Sequence, residues 1–112
     1  MALYLGIDIG TSASKGVLID DRCNIVCQAS CGHETDNPCD GWYQHDAEAV
    51  WWGDFCRLSR ELVARSGVNA AQIGCVGLSA LGCDCVPVDT ECNALAPAIL
   101  MESMHVRNRR LT

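Results

Sequence analysis

Two apolar runs near the N-terminus, LYLGIDI over residues 3–9 and KGVLI over residues 15–19, are separated by only five small residues, Gly10 to Ser14. A parallel pairing needs a crossover of a dozen residues or more, so a link this short confines the two runs to an antiparallel hairpin. Asp20, Asp21 and Arg22 make the next turn, and residues 24–30 read as a third strand. The chain therefore opens as a three-stranded meander. Residues 31–41 follow as a polar surface loop carrying Pro38 and two glycines.

The clearest local signal comes next. Asp46 suits a helix N-cap, Glu48 sits in the first turn where the macrodipole favours it, and Ser66-Gly67 closes the segment. Trp51, Phe55, Leu58 and Leu62 step by four, three and four, which places them on one apolar face. Arg57, Arg60, Glu61 and Arg65 fill much of the remainder. After the helix, residues 72–79 (QIGCVGLS) read as a buried strand, 85–88 as another, 89–93 as a turn, and 98–101 as a last short strand after Pro97. The predicted order is βββαβββ. The first strand after the helix should lie parallel to the first strand of the chain, giving a mixed sheet with the helix on one face. No internal repeat or low-complexity stretch is visible.

Composition limits the function classes. A chain of 112 residues, 49% apolar and 20% charged, fits one globular domain and argues against disorder. No run of eighteen apolar residues exists, so no membrane span is expected. The N-terminus lacks a basic region, and Asp8 interrupts its apolar stretch, so the expectation is no signal peptide and a cytoplasmic chain. A net charge of −6 disfavours a nucleic-acid partner, and Arg107, Arg109 and Arg110 read as a solvated tail. Nine cysteines are many for this length. Cys23, Cys27 and Cys31 on a strand would sit ~13 Å apart in succession, too far to share an ion, and no C-x-x-C occurs. They are expected to be small buried apolar residues, with no metal among them.

Chemistry concentrates at the first hairpin. Residues 8–15 hold an acid, a glycine, three hydroxyls and the only lysine of the chain. Gly10 would let backbone approach an anion or adopt unusual dihedrals. Thr11 and Ser12 offer hydroxyls and backbone N–H groups for a small anion-binding concavity. Asp8, at the strand end, could hold Mg²⁺ directly or through its water shell, and Lys15 could neutralise phosphate charge. An ordinary polar hairpin with an exposed aspartate would carry the same residues, and the segment is not a Walker loop.

YLGIDIGTSASKG (residues 4–16) resembles the first phosphate motif of the FGGY carbohydrate kinases, the group containing xylulokinase, gluconokinase and glycerol kinase. GWYQHD (41–46) followed by Trp51-Trp52 resembles that family's G-W-x-E-x-D-P…W-W segment. GLSALG (77–82), VPVD (86–89) and PAIL (97–100) resemble its sugar-side strands. The resemblance runs from residue 3 to about 100, in order. It implies an α/β fold of the ribonuclease H-like, actin-like ATPase type, of which residues 1–100 would be a partial N-terminal domain. It also implies ATP and Mg²⁺ as cofactors and a sugar or polyol as substrate. Carried onto this chain, Gly10, Thr11, Ser12 and Lys15 would meet the phosphates and Asp8 the metal. Leu81, Gly82 and Cys83 would face the sugar, with Asp84 a weaker candidate.

Several positions depart from the family pattern. Gln44 and Ala47 stand where Glu and Pro are usual, in a segment that reads as structural. Trp42, Trp51 and Trp52 are expected to pack rather than stack on sugar, and His45 and Asp46 to serve as loop and cap. Residues 101–112 lack the aromatic, aspartate and arginine that usually follow, and read as a diverged or truncated tail. The family's catalytic aspartate and adenosine site lie further along than this sequence reaches, so no catalytic residue is assigned. The resulting expectation is an N-terminal fragment or truncated relative of a sugar kinase. The alternative is a non-catalytic module that keeps the scaffold and self-associates, as a homodimer for example.

Overall fold

A computed structural model describes residues 2–101. Three strands, β1 (Leu3–Ile9), β2 (Ala13–Asp20) and β3 (Ile25–Gly32), form the expected meander. A two-residue strand β4 (Gln44–His45) precedes a π-wound turn over Ala47–Trp52 and the helix α1 (Gly53–Ser66). Beyond α1 come β5 (Ile73–Ser79) and a second two-residue strand, β6 (Ala98–Ile99). The main sheet has the order β3-β2-β1-β5, antiparallel throughout except for β1 and β5, which run parallel as predicted.

Alternation along β1 decides which face is buried. Leu3, Leu5, Ile7 and Ile9 are buried under α1, while Tyr4 and Asp8 are exposed on the opposite face. From α1, Leu58 and Leu62 meet them, with Trp51 and Phe55 partly buried at the same cluster. Gly16 on β2 allows the close approach, since a Cβ there would stand 2.9 Å from Leu62 Cδ1 and 3.0 Å from Ile7 Cδ1. Asp46 caps the helical segment, accepting from the backbone N–H groups of Glu48 and Ala49. The helix ends at Gly67 in the left-handed conformation.

Among the described residues there are six strands, but their placement differs from the predicted order in two respects. The expected strand at 85–88 is reduced to isolated bridges, Cys85 to Ile99 and Val88 to Ala94. Pro87 removes one donor there, and the tight turn at Asp89 leaves no length for a ladder. In its place β4, unmarked in the sequence, pairs with β6 in a small separate ribbon. The expected tail, 101–112, lies outside the described residues beyond Met101.

One short pattern does recur. Asp20-x-x-Cys23-Asn24 and Asp89-x-x-Cys92-Asn93 fold into the same loop. In each, the cysteine N–H bonds the aspartate carbonyl at 3.1 Å, and the aspartate N–H bonds the asparagine carbonyl at 3.0 Å. The aspartate side chains accept from Asn24 and Arg22, and from Asn93 and Glu91, which holds both carboxyls below their ordinary titration range. Cys23 and Cys92 each sit at φ 64°, a left-handed position usually given to glycine.

The cysteines are not buried as expected. Six of the nine are exposed, and Cys27, Cys31 and Cys56 are only partly covered. The exposed six occupy turns, loops and the open edge at β5, while Cys27 and Cys31 of β3 pack against the helix–sheet core. Among the described residues no group of three or more His, Cys, Asp or Glu is placed to share an ion.

Candidate phosphate-binding hairpin

Gly10 and Ala13 close the β1–β2 hairpin through a 2.9 Å bond from the Gly10 N–H to the Ala13 carbonyl, leaving Thr11 and Ser12 as a two-residue loop. Gly10 does not adopt a positive φ; its need is for space, because a Cβ would lie 2.7 Å from the Ala13 carbonyl oxygen. Thr11 and Ser12 also keep negative φ, unlike the glycine-rich turns that favour tight hairpins. The loop is held from one side instead. His33 Nε2 lies 2.8 Å from the Gly10 carbonyl and 3.1 Å from that of Thr11. Thr35 Oγ1 donates to the Thr11 carbonyl at 3.1 Å, and the His33 backbone N–H donates to the Ser12 carbonyl at 3.0 Å. All three carbonyls are thus engaged. The N–H groups of Thr11 and Ser12 have no hydrogen-bond partner among the described residues, and both residues are exposed. Adjacent unpaired amides are the kind of group from which backbone anion sites are built.

The charged members lie beside this loop. Asp8 pairs directly across the ladder with Lys15, and on its other side with Ser79 of β5. All three are exposed and share the open face of the sheet. With Gly6, Val17 and Gly77 they border a shallow depression of about 440 Å³. Gly6 and Gly77 are register partners, so its floor carries no side chain at that pair. Because β1 and β5 are parallel, the loops after both leave from the same end of the sheet, where ligands of such sheets bind. Leu81, Gly82 and Cys83 fall on the loop after β5; Cys83 is held at φ 61°. Asp84 is occupied differently from the expectation: its Oδ1 accepts from the Met101 N–H at 2.9 Å and ties the loop to the end of β6.

Behind the hairpin is a buried polar network that was not foreseen from the sequence. Asp54, at the start of α1 and 2% exposed, accepts from Ser14 Oγ and faces His33 Nδ1, both at 2.7 Å on Oδ2. Arg57 Nη1 stands 3.5 Å from its other oxygen. Burial opposes the Asp54 charge, yet hydrogen bonds from Ser14, His33 and Cys31 outweigh it and hold the carboxyl below its ordinary range. Burial and the neighbouring Asp54 carboxylate together push the Cys31 thiol up. A serine, a histidine and an aspartate meet here without forming a nucleophilic triad. Ser14 and His33 both turn to the same carboxylate oxygen, and Ser14 is fully buried. One signal was available: Asp54 falls four residues before Leu58 and eight before Leu62, in line with the buried stripe.

Next to it, buried His45 bridges Thr35 Oγ1 (3.1 Å) and Trp51 Nε1 (3.0 Å), which fits its expected structural role. Trp51 packs as predicted. Trp52 is stacked on Phe55 but 60% exposed, and Trp42 is 38% exposed, so neither is buried in the core.

A mixed sheet of order β3-β2-β1-β5 with α1 on one face is the N-terminal part of a ribonuclease H-like, actin-like ATPase fold. The match is specific: residues 3–108 fit the N-terminal domain of the FGGY family of carbohydrate kinases, and the chain belongs to that family. It is 32% identical to the glycerol kinase of Acidovorax sp. (strain JS42) over 79 residues, 70% of this chain and 16% of that protein. Among solved structures, it superposes on a xyloylose kinase from Brucella ovis with a TM-score of 0.84 and 31% identity, covering 91% of this chain and 21% of the other. The glycerol kinase of Plasmodium falciparum, solved with ADP, shares the fold at a TM-score of 0.79 and 23% identity, covering 97% of this chain and 22% of the other. The chain therefore spans a minor part of the length of its relatives. No helix among the described residues is long and apolar enough to cross a membrane.

Proposed function

We propose that this chain supplies the first phosphate- and Mg²⁺-binding hairpin, and part of the sugar side, of an ATP-dependent kinase acting on a sugar or polyol hydroxyl. The observation that carries this reading is the polarity of the hairpin loop: carbonyls of residues 10–12 engaged, amides of Thr11 and Ser12 free beside Asp8 and Lys15. The donor set fits the cofactors. Asp8 offers a hard carboxylate oxygen of the kind Mg²⁺ takes, and the two hydroxyls, the two amides and Lys15 suit a polyphosphate. Bound there, Mg²⁺ would neutralise charge on the transferring phosphoryl group. Gly10 keeps the loop closed, Thr11 and Ser12 donate to phosphate oxygens, and Lys15 balances Asp8 or the anion. Leu81, Gly82 and Cys83 would shape the sugar side at the same end of the sheet.

Among the described residues no aspartate is assigned as base for the sugar hydroxyl. Asp84 is bonded to Met101, and Asp89 to its own turn. The proposed contribution is therefore binding and positioning, in a cytoplasmic metabolic setting. Calorimetric titration of Mg-ATP tests it. Millimolar-range binding that Asp8→Asn and Lys15→Ala each weaken supports the reading; no binding by the parent chain removes it.

A second reading, self-association, is favoured by a specific surface. Trp51, Trp52, Phe55, Val76 and Leu78 line an almost wholly apolar groove of about 460 Å³. It runs beside β5, whose outer edge has no strand partner among the described residues. Light scattering across a concentration series distinguishes the two: a monomer at every concentration counts against self-association.

A further inference from the structure

We infer that His33 is a positioning residue for the phosphate hairpin, acting as an imidazolium strap between the loop carbonyls and helix α1. The inference rests on the phosphate-binding reading above. Its ring is nearly enclosed, with a side chain 6% exposed. Nδ1 meets a carboxylate oxygen of Asp54 at 2.7 Å, and Nε2 meets the carbonyls of Gly10 at 2.8 Å and Thr11 at 3.1 Å. None of these three oxygens can donate. A neutral ring would set a lone pair against an acceptor at one end or the other, whereas a ring with a proton on each nitrogen satisfies both. The strap works because its two ends belong to different elements. Asp54 is fixed by Ser14 of β2 and by burial under the sheet, so the ring transmits a rigid position to the loop. Holding the carbonyls inward is what turns the Thr11 and Ser12 amides outward. The ring faces Asp54 of α1 and, edge-on at 4.9 Å, His45 of β4, while Arg57 of α1 and Cys31 of β3 interact with the Asp54 carboxylate from their own sides.

The test uses the full chain, ¹⁵N-labelled. Long-range nitrogen–proton spectra of the His33 ring should show both nitrogens protonated, and a pH titration should move the Thr11 and Ser12 amide resonances together with the ring. A single protonated nitrogen, or loop amides indifferent to the ring, overturns the inference. His33→Gln, which can donate to only one side, should weaken Mg-ATP binding by about tenfold, as expected for loss of charge-assisted hydrogen bonds. Equal affinity of the parent and the variant overturns it too. If the variant does not fold, the titration of the parent protein decides alone. Failure of the parent to bind Mg-ATP would remove the phosphate reading while leaving the ring spectra to judge the strap.

Discussion

Gly10→Ala probes the hairpin at its tightest point. The added Cβ would meet the Ala13 carbonyl oxygen at 2.7 Å, about 0.7 Å inside the 3.4 Å at which ordinary contact begins. That oxygen is backbone and cannot rotate away, and it accepts the bond that closes the loop. The neighbouring carbonyls are fixed by His33 and Thr35, so the strain has little room to spread. Forced overpacking costs about 1–3 kcal/mol, and weakening the closing hydrogen bond adds about 1 kcal/mol. At roughly 4–8 °C per kcal/mol for a domain of this size, the melting temperature should fall by at least about 10 °C. Gly77→Ala is the matched stability control, since a methyl added there would meet nothing within 4 Å. It should change stability by under about 1 kcal/mol. Thermal denaturation followed by circular dichroism reads both. A Gly10→Ala protein melting within about 2 °C of the parent would refute the close-contact argument.

Three further outcomes are expected. Cys23→Gly and Cys92→Gly each relieve a left-handed residue at φ 64° and should leave stability unchanged or raise it by up to about 1 kcal/mol, measured by urea denaturation. Asp54 titrates lower folded than unfolded. Its contribution is therefore complete above the unfolded value of about 4 and is lost as pH falls through the folded one. Asp54→Asn should lower stability at neutral pH by about 3 kcal/mol and flatten the acid limb of the urea-midpoint profile. Leu62→Ala empties a fully buried site between α1 and β1–β2 and should cost about 2–5 kcal/mol in the same assay.

The main sheet and the helix were legible because their signals are local. Leu3 to Ile9 against residues 15–19 could only be a hairpin, and Asp46, the Trp51–Leu62 stripe and Gly67 bracket the helix. The β4–β6 ribbon was not legible, since two-residue strands carry no periodicity and pair here across more than fifty positions of sequence. The cysteine expectation failed because thiols tolerate exposure; Cys23 and Cys92 are placed by turn geometry, and Cys75 by the open edge of β5. At the site, the residues of the loop itself were readable from their chemistry. What orients them was not: His33 lies 23 residues from Gly10 and reaches the loop through the β2–β3 pairing, and Asp54 lies 44 residues away and meets His33 only through the packing of α1 on the sheet.

The free amides of the hairpin loop are the centre of the proposed function. Mg-ATP added to the ¹⁵N-labelled chain should shift the Thr11 and Ser12 amide resonances first and furthest, with Gly10 and Lys15 following, and Asp8→Asn should weaken the response. Mg-ATP that leaves the Thr11 and Ser12 amides unmoved at millimolar nucleotide, or shifts residues elsewhere on the sheet instead, would contradict it.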